Sequence, residues 1–164
     1  MGRFLGRFTF LLTLLLGLTL VPAVHERLVQ PWTATVARVA VDLAGVLDPD
    51  VIASGDRIVS ASSGFAVRIE AGCNGVEPTL MLLAAMLAFP APWRHRLVGF
   101  AAGAVLVQLA NLARILTLFY LGQWSGAVFD WAHLYVWPAL IVLDALMVFL
   151  VWLRLLPRPA RHTG

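Results

Sequence analysis

The sequence predicts an all-α integral membrane protein with about four transmembrane helices and a small external segment, an amphipathic helix followed by a short β-hairpin. Three observations carry that expectation. Apolar residues make up 60% of the 164-residue chain and charged residues only 13%, where an average soluble domain has about 45–50% and about 25%. Four apolar runs reach or approach the roughly 20 residues that a helix needs to cross a bilayer. Most of the arginines cluster before the first run, between the second and third, and after the fourth.

The spans are expected at 8–24, 76–89, 97–121 and 134–153. The second is short and is closed by Pro90 and Pro92; bilayer thinning or burial in a bundle accommodates such a span. Arg3 and Arg7 precede the first span, Arg94 and Arg96 separate the second from the third, and Arg154, Arg158 and Arg161 follow the fourth. If the spans alternate, these arginines share one side, and the positive-inside rule makes it the cytoplasmic one, with both chain ends there. Glu26, Asp42, Asp48, Asp50, Asp56, Glu70, Glu77 and Asp130 fall on the opposite side or at its membrane edge. Trp93 and Trp152 suit an inner aromatic belt, and Trp124, Trp131, Tyr135 and Trp137 an outer one. Val21-Pro22-Ala23 also fits a small-residue cleavage site, so the first span has a second reading as a signal peptide. Either reading leaves the downstream orientation unchanged.

One membrane unit is expected over 1–164, with an external subdomain at 25–72 and a core of three spans at 73–156. Within the subdomain, Leu28, Trp32, Val36, Val39, Leu43 and Val46 or Leu47 recur at helical spacing, which predicts an amphipathic helix on the bundle or the membrane surface. Leu47-Asp48-Pro49-Asp50 reads as a turn. The segments 57–61 and 65–70, joined by Ser62-Ser63-Gly64, read as a hairpin that delivers the chain to Cys73.

A net charge of +3 does not make this a nucleic-acid binder. The chain has no lysine, and its twelve arginines are scattered rather than gathered on one element. The single cysteine, Cys73, excludes an internal disulfide and any CxxC site. No cofactor and no metal are expected, because no His/Glu motif has metal-ligand spacing.

Three places carry chemistry. Cys73 precedes Asn74-Gly75-Val76-Glu77 at the start of the second span. Asn74 with Glu77 three residues on gives a capping-box pattern, and a helix N-terminus favours a thiolate. The same residues also suit a plain turn and cap around a buried thiol. Arg114 lies within the third span. A charge there costs about 2.5–3.5 kcal/mol on insertion scales, so such residues face the bundle interior or snorkel to the interface. Gln108 and Asn111 precede it at three-residue steps and form one polar stripe with it. His133 opens the fourth span, and histidine is a side chain suited to act as acid or base; Asp130 either orients its ring or caps the helix. Asp144 lies within the fourth span and is expected to partner Arg114 or Gln108, since a buried carboxylate needs a partner. A thiol, a fixed cation and a proton carrier at one level of three helices are what acyl transfer requires.

Glu70-Ala71-Gly72-Cys73-Asn74-Gly75, Asn111-Leu112-Ala113-Arg114-Ile115 and Phe129-Asp130-Trp131-Ala132-His133 resemble, in order and topology, the exosortase/archaeosortase family. The stretch 69–153 carries the resemblance, and the short chain with Cys73-Asn74-Gly75 is most like the exosortase H subgroup. Many members have Cys-Ser-Gly and more spans. The resemblance implies a cysteine transpeptidase of the bacterial inner membrane with its site on the periplasmic side and Cys73, Arg114 and His133 catalytic. Its partners would be the lipid bilayer and exported proteins that carry a C-terminal sorting signal, of IPTLxxWG or PEP type, with a transmembrane helix. Two other classes fit the residues without it: a non-catalytic membrane scaffold, in which Cys73 is incidental, and a small transporter subunit, in which Arg114 and Asp144 are pathway charges. The second lacks the paired broken helices and inverted repeat common in its class.

Overall fold

The computed structural model describes residues 2–46 and 48–156. Leu47, Arg158 and Arg161, used in the helix and topology readings above, lie outside the described residues. The chain runs through α1 (Gly2–Thr19), a short turn α2 (Pro22–Val24), a π turn (His25–Val29) and α3 (Gln30–Ala44). A small sheet follows, β1 (Val51–Ser54), β2 (Arg57–Ser60) and β3 (Ala66–Arg68), and then α4 (Val76–Ala88), α5 (Trp93–Trp124), α6 (Gly126–Trp131), a second π turn (Ala132–Val136) and α7 (Trp137–Arg154). Pro22, Pro31 and Pro138 each occupy the first turn of a helix, where a missing N–H removes no helical bond.

The predicted class holds: a mostly helical membrane protein with a small external β element. Among the described residues three helical runs are long and apolar enough to cross a bilayer: α1, α5 and the continuous run Gly126–Arg154. The fourth apolar helix, α4, has 13 residues, about 20 Å at 1.5 Å per residue. It packs against α1, α5 and α7. The hairpin proves to be the last two strands of a three-stranded antiparallel sheet, order β1-β2-β3. Gly55 and Gly64 take φ of +62° and +69° in its two turns. β1 was hidden from the sequence because it is four residues long and follows directly on an Asp/Pro turn.

Two cores share α5. One joins α3, the sheet and the C-terminal half of α5 through Val36, Ala37, Ala40, Ile58, Ile115 and Phe119. The other joins α4, α5 and α7 through Leu82, Met86, Val107, Ala145 and Trp152. Beside it Phe4, Phe89, Phe149 and Trp152 pack on one another, mostly edge-on or tilted, which brings the arginine-bearing ends of α1, α5 and α7 to one end of the bundle. Trp152 is therefore not a belt residue. It is buried against Gly99 and donates to the His95 carbonyl at 3.0 Å. Gly103, one of the small residues of α5, is packed inside the bundle against Leu82 and Val148.

The face that α3 buries differs from the expected stripe. Thr33, Val36, Ala37, Ala40 and Ala44 face the sheet and α5, whereas Leu28, Trp32, Val39, Leu43 and Val46 are exposed. Alanines let the helix backbone approach its neighbours closely, and the larger apolar side chains are left for the membrane surface.

Candidate active site

Cys73 lies in the turn between the sheet and α4, where its N–H donates to the Glu70 carbonyl at 2.9 Å. Two left-handed glycines shape the turn, Gly72 at φ +85° and Gly75 at φ +76°. A side chain at Gly75 would strike Gln108, whose amide atoms lie 2.6 Å from the position of a Cβ. Gln108 Nε2 instead donates to the Gly75 carbonyl at 3.0 Å and to Thr79 Oγ1 at 3.2 Å.

The capping box forms in a shifted version. Gly75, not Asn74, is the N-cap of α4. Asn74 is fully buried; its Oδ1 accepts from the Val76 N–H at 3.1 Å, and its Nδ2 donates to Thr33 Oγ1 at 3.0 Å. Glu77 Oε1 reaches back to the Gly72 N–H at 2.8 Å. The positive φ of Gly75 inserts a residue between Asn74 and the helix, so the acceptors meet amides one or two places from those of the standard box. Trp32 Nε1 completes the attachment to α3 by donating to the Asn74 carbonyl at 3.1 Å.

Arg114 is buried on α5, ten residues before its C-terminal end. Its fork bridges the turn: Nη1 donates to the Gly72 carbonyl at 2.9 Å and Nη2 to Cys73 Sγ at 3.3 Å. Gly72 is thus held at both ends of its peptide groups, N–H by Glu77 and C=O by Arg114. Asn111 is fully buried below Arg114, so the polar stripe does face inward. His133 sits in the π turn at the start of the last span, and its Nε2 lies 3.5 Å from Cys73 Sγ. A π turn widens the helix by one residue and is common where a side chain is presented for function. Phe129 packs one turn away, with ring centroids 5.5 Å apart.

Two supporting residues are placed elsewhere than expected. Asp130 is exposed and makes no hydrogen bond to His133 among the described residues. Asp144 contacts neither Arg114 nor Gln108 through a hydrogen bond, and its Oδ2 is buried without a partner. Arg114 instead spends Nη1 and Nη2 on the Gly72 carbonyl and the sulfur, and Gln108 spends Nε2 on Gly75 and Thr79.

Burial pushes the Cys73 thiol above its ordinary range; the Arg114 guanidinium draws it back, and Glu77 and Glu70 push it up again. The net push is upward, opposite to the one expected from the α4 N-terminus. A cavity of about 230 Å³ opens over Cys73, Arg114 and His133. Among the described residues no three His, Cys, Asp or Glu side chains converge on a metal position. Residues that the motifs did not reveal are Trp32 and Thr33, which tie the turn to α3, and the Gly72 carbonyl, which anchors Arg114; the contacts span about 40 residues of sequence, and no local pattern encodes them.

Comparison with curated proteins gives no match, and comparison with solved structures gives none. A family model described as transmembrane exosortase (Exosortase_EpsH) matches residues 2–154. That match covers both cores and the whole Cys73 turn, and the chain belongs to the transmembrane exosortase family.

Proposed function

We propose that the chain is a cysteine transpeptidase of the bacterial inner membrane, one that cleaves the C-terminal sorting signals of exported proteins, of IPTLxxWG or PEP-CTERM type, and passes the new C-terminus to an acceptor. The observation that carries the reading is the approach of three elements to one sulfur: Cys73 Sγ meets Arg114 Nη2 at 3.3 Å and His133 Nε2 at 3.5 Å. A scaffold has no need of a buried guanidinium and an imidazole on its one thiol. Both chain ends lie in the cytoplasm and the site faces the periplasm, because the arginine-bearing end of the bundle is the inner one.

Each group takes one role. His133 Nε2 accepts the thiol proton, and the sulfur attacks the scissile carbonyl, whose bond pair moves onto oxygen. Arg114, whose Nη2 already meets the sulfur, serves as the cation that stabilises the sulfur anion. Its Nε–H, buried without a partner, is a donor left for the oxyanion. Collapse of the adduct breaks the C–N bond, and His133 returns its proton to the departing amine. The acyl group is then a thioester on Cys73. An incoming nucleophile gives its proton to His133 and takes the acyl group, and the thiol is restored.

The test is co-expression with a protein bearing such a signal, with the substrate's mass followed for wild type and Cys73→Ala. Shortening with wild type alone is expected, and the mass separates hydrolysis from transfer. Equal shortening with Cys73→Ala would remove the nucleophile assignment.

A further inference from the structure

β3 is an edge strand. β2 pairs with it so that Ile58 lies opposite Val67. The flanking bonds, Ser60 N–H to the Phe65 carbonyl at 2.9 Å and Ile69 N–H to the Asp56 carbonyl at 2.8 Å, keep the same parity. In an antiparallel pair, alternate residues turn both backbone groups to the partner. Phe65, Val67 and Ile69 therefore face β2, while Ala66 and Arg68 direct N–H and C=O the other way, where no described strand takes them.

The cavity over Cys73 lies on that free edge. Residues 67–71 all line it. Val67 and Arg68 are consecutive in β3 and point to opposite faces, so a cavity that both line runs along the edge of the strand rather than over one face, and it continues beside residues 69–71 toward Cys73. A separate cavity of about 550 Å³ shares residues 68–71 but is otherwise lined by Gly55 and Asp56 of the β1–β2 turn and by Val29, Thr33 and Ala34 on the α3 side. The far wall of the Cys73 cavity is apolar, built from Ile115, Leu118 and Phe129.

We propose that the substrate binds by strand addition: an extended peptide segment pairs with the free edge of β3 at Ala66 and Arg68 and runs on to lay its scissile carbonyl over Cys73. Unpaired edge groups are a template for another strand, and such pairing gives affinity through the main chain and selectivity through alternate side chains. Every second side chain of the docked segment faces Leu118 and Phe129 and is apolar; those between point outward past Arg68 and Glu70. The inference rests on the processing reading above and adds where, and in what conformation, the peptide is held.

The experiment uses the full chain in lipid and a substrate that wild type is first shown to process; failure at that step sinks the processing reading and not the strand pairing. Synthetic peptides of the substrate's cleaved segment, each with one backbone N-methyl, are then compared. The expected result is a two-residue alternation, with about a tenfold loss in kcat/KM where a methyl replaces an edge-facing N–H, the scale of one hydrogen bond. Even tolerance, or losses with no alternation, would overturn the proposal. Arg68→Pro gives the matching test on the enzyme, because it removes an N–H that the β2 ladder does not use. Its KM is expected to exceed that of Arg68→Ala by about tenfold, again one hydrogen bond, with Cys73 alkylation unchanged as the sign of an intact site. Equal KM values in the two variants would argue against strand addition, and if the proline variant does not fold, the N-methyl series decides. A disulfide between two Ala66→Cys chains that forms equally fast with and without substrate would assign the edge to a second copy and also overturn the proposal.

Discussion

Arg114→Lys keeps the positive charge and removes the fork, so it separates charge from geometry. In the native chain one guanidinium donates to two acceptors, the Gly72 carbonyl at 2.9 Å and Cys73 Sγ at 3.3 Å. A lysine ammonium is a single compact donor group and does not reproduce the planar two-point contact. One charge-assisted bond is lost, and a hydrogen bond to a charged group contributes about 1.5–3 kcal/mol. At about 1.4 kcal/mol per factor of ten, kcat/KM is expected to fall roughly tenfold to a hundredfold or slightly more. The assay is processing of a signal-bearing substrate in lipid, with kcat and KM separated. A transition-state role lowers kcat, whereas a loosened turn raises KM. Thermal unfolding of the variant in the same lipid controls for global damage. Activity within about twofold of wild type, with unfolding unchanged, would refute the view that the fork is what places and polarises the sulfur.

Four further outcomes follow from the same geometry. Glu77→Gln removes an anion that disfavours the thiolate, so the alkylation rate of Cys73 should reach its midpoint at lower pH than in wild type; a midpoint that stays put or rises would show that Glu77 acts only through Gly72. Gly75→Ala forces a side chain into φ +76° and onto Gln108; a left-handed residue with a Cβ costs about 1–2 kcal/mol, and processing should be lost with a measurable drop in unfolding temperature. Gly99→Ala sets a Cβ against the Trp152 ring, and overpacking of about 1–3 kcal/mol is expected in thermal unfolding while Cys73 alkylation keeps its native rate. Asp56 is held below the usual carboxylate range by its bond to Arg68; its contribution is present above the unfolded carboxyl value and lost as pH falls through the lower folded one, so Asp56→Asn should abolish a small acid-side loss of stability and change little near neutrality.

Cys73, Arg114 and His133 were legible as a candidate site because each is an outlier in its setting: the one cysteine, a guanidinium inside an apolar run, and a histidine at the mouth of the last span. Their meeting needed only that three helices share one level. What stayed hidden has a common physical cause. The supports of the Cys73 turn come from α3 and from backbone carbonyls, and neither leaves a periodic signal. On α3 the apolar spacing was visible but the buried side was not, because Ala37 and Ala40 pack as well as larger residues where two backbones must come close. Asp144 misled for a related reason. A carboxylate in an apolar run asks for a partner, yet Arg114 and Gln108, the candidates by sequence logic, turn their hydrogen bonds to the Cys73 turn. The upward push on the thiol also comes from burial, which composition does not report.

α4 has a consequence beyond packing. Its 13 residues reach about 20 Å, against a hydrocarbon core near 30 Å. None of its residues is exposed, because α1, α5 and α7 pack around it, so its shortness is met by burial inside the bundle. A helix that need not reach the surface can carry the turn at its head down among its neighbours, and the Cys73 turn is accordingly met by Arg114, ten residues short of the end of α5.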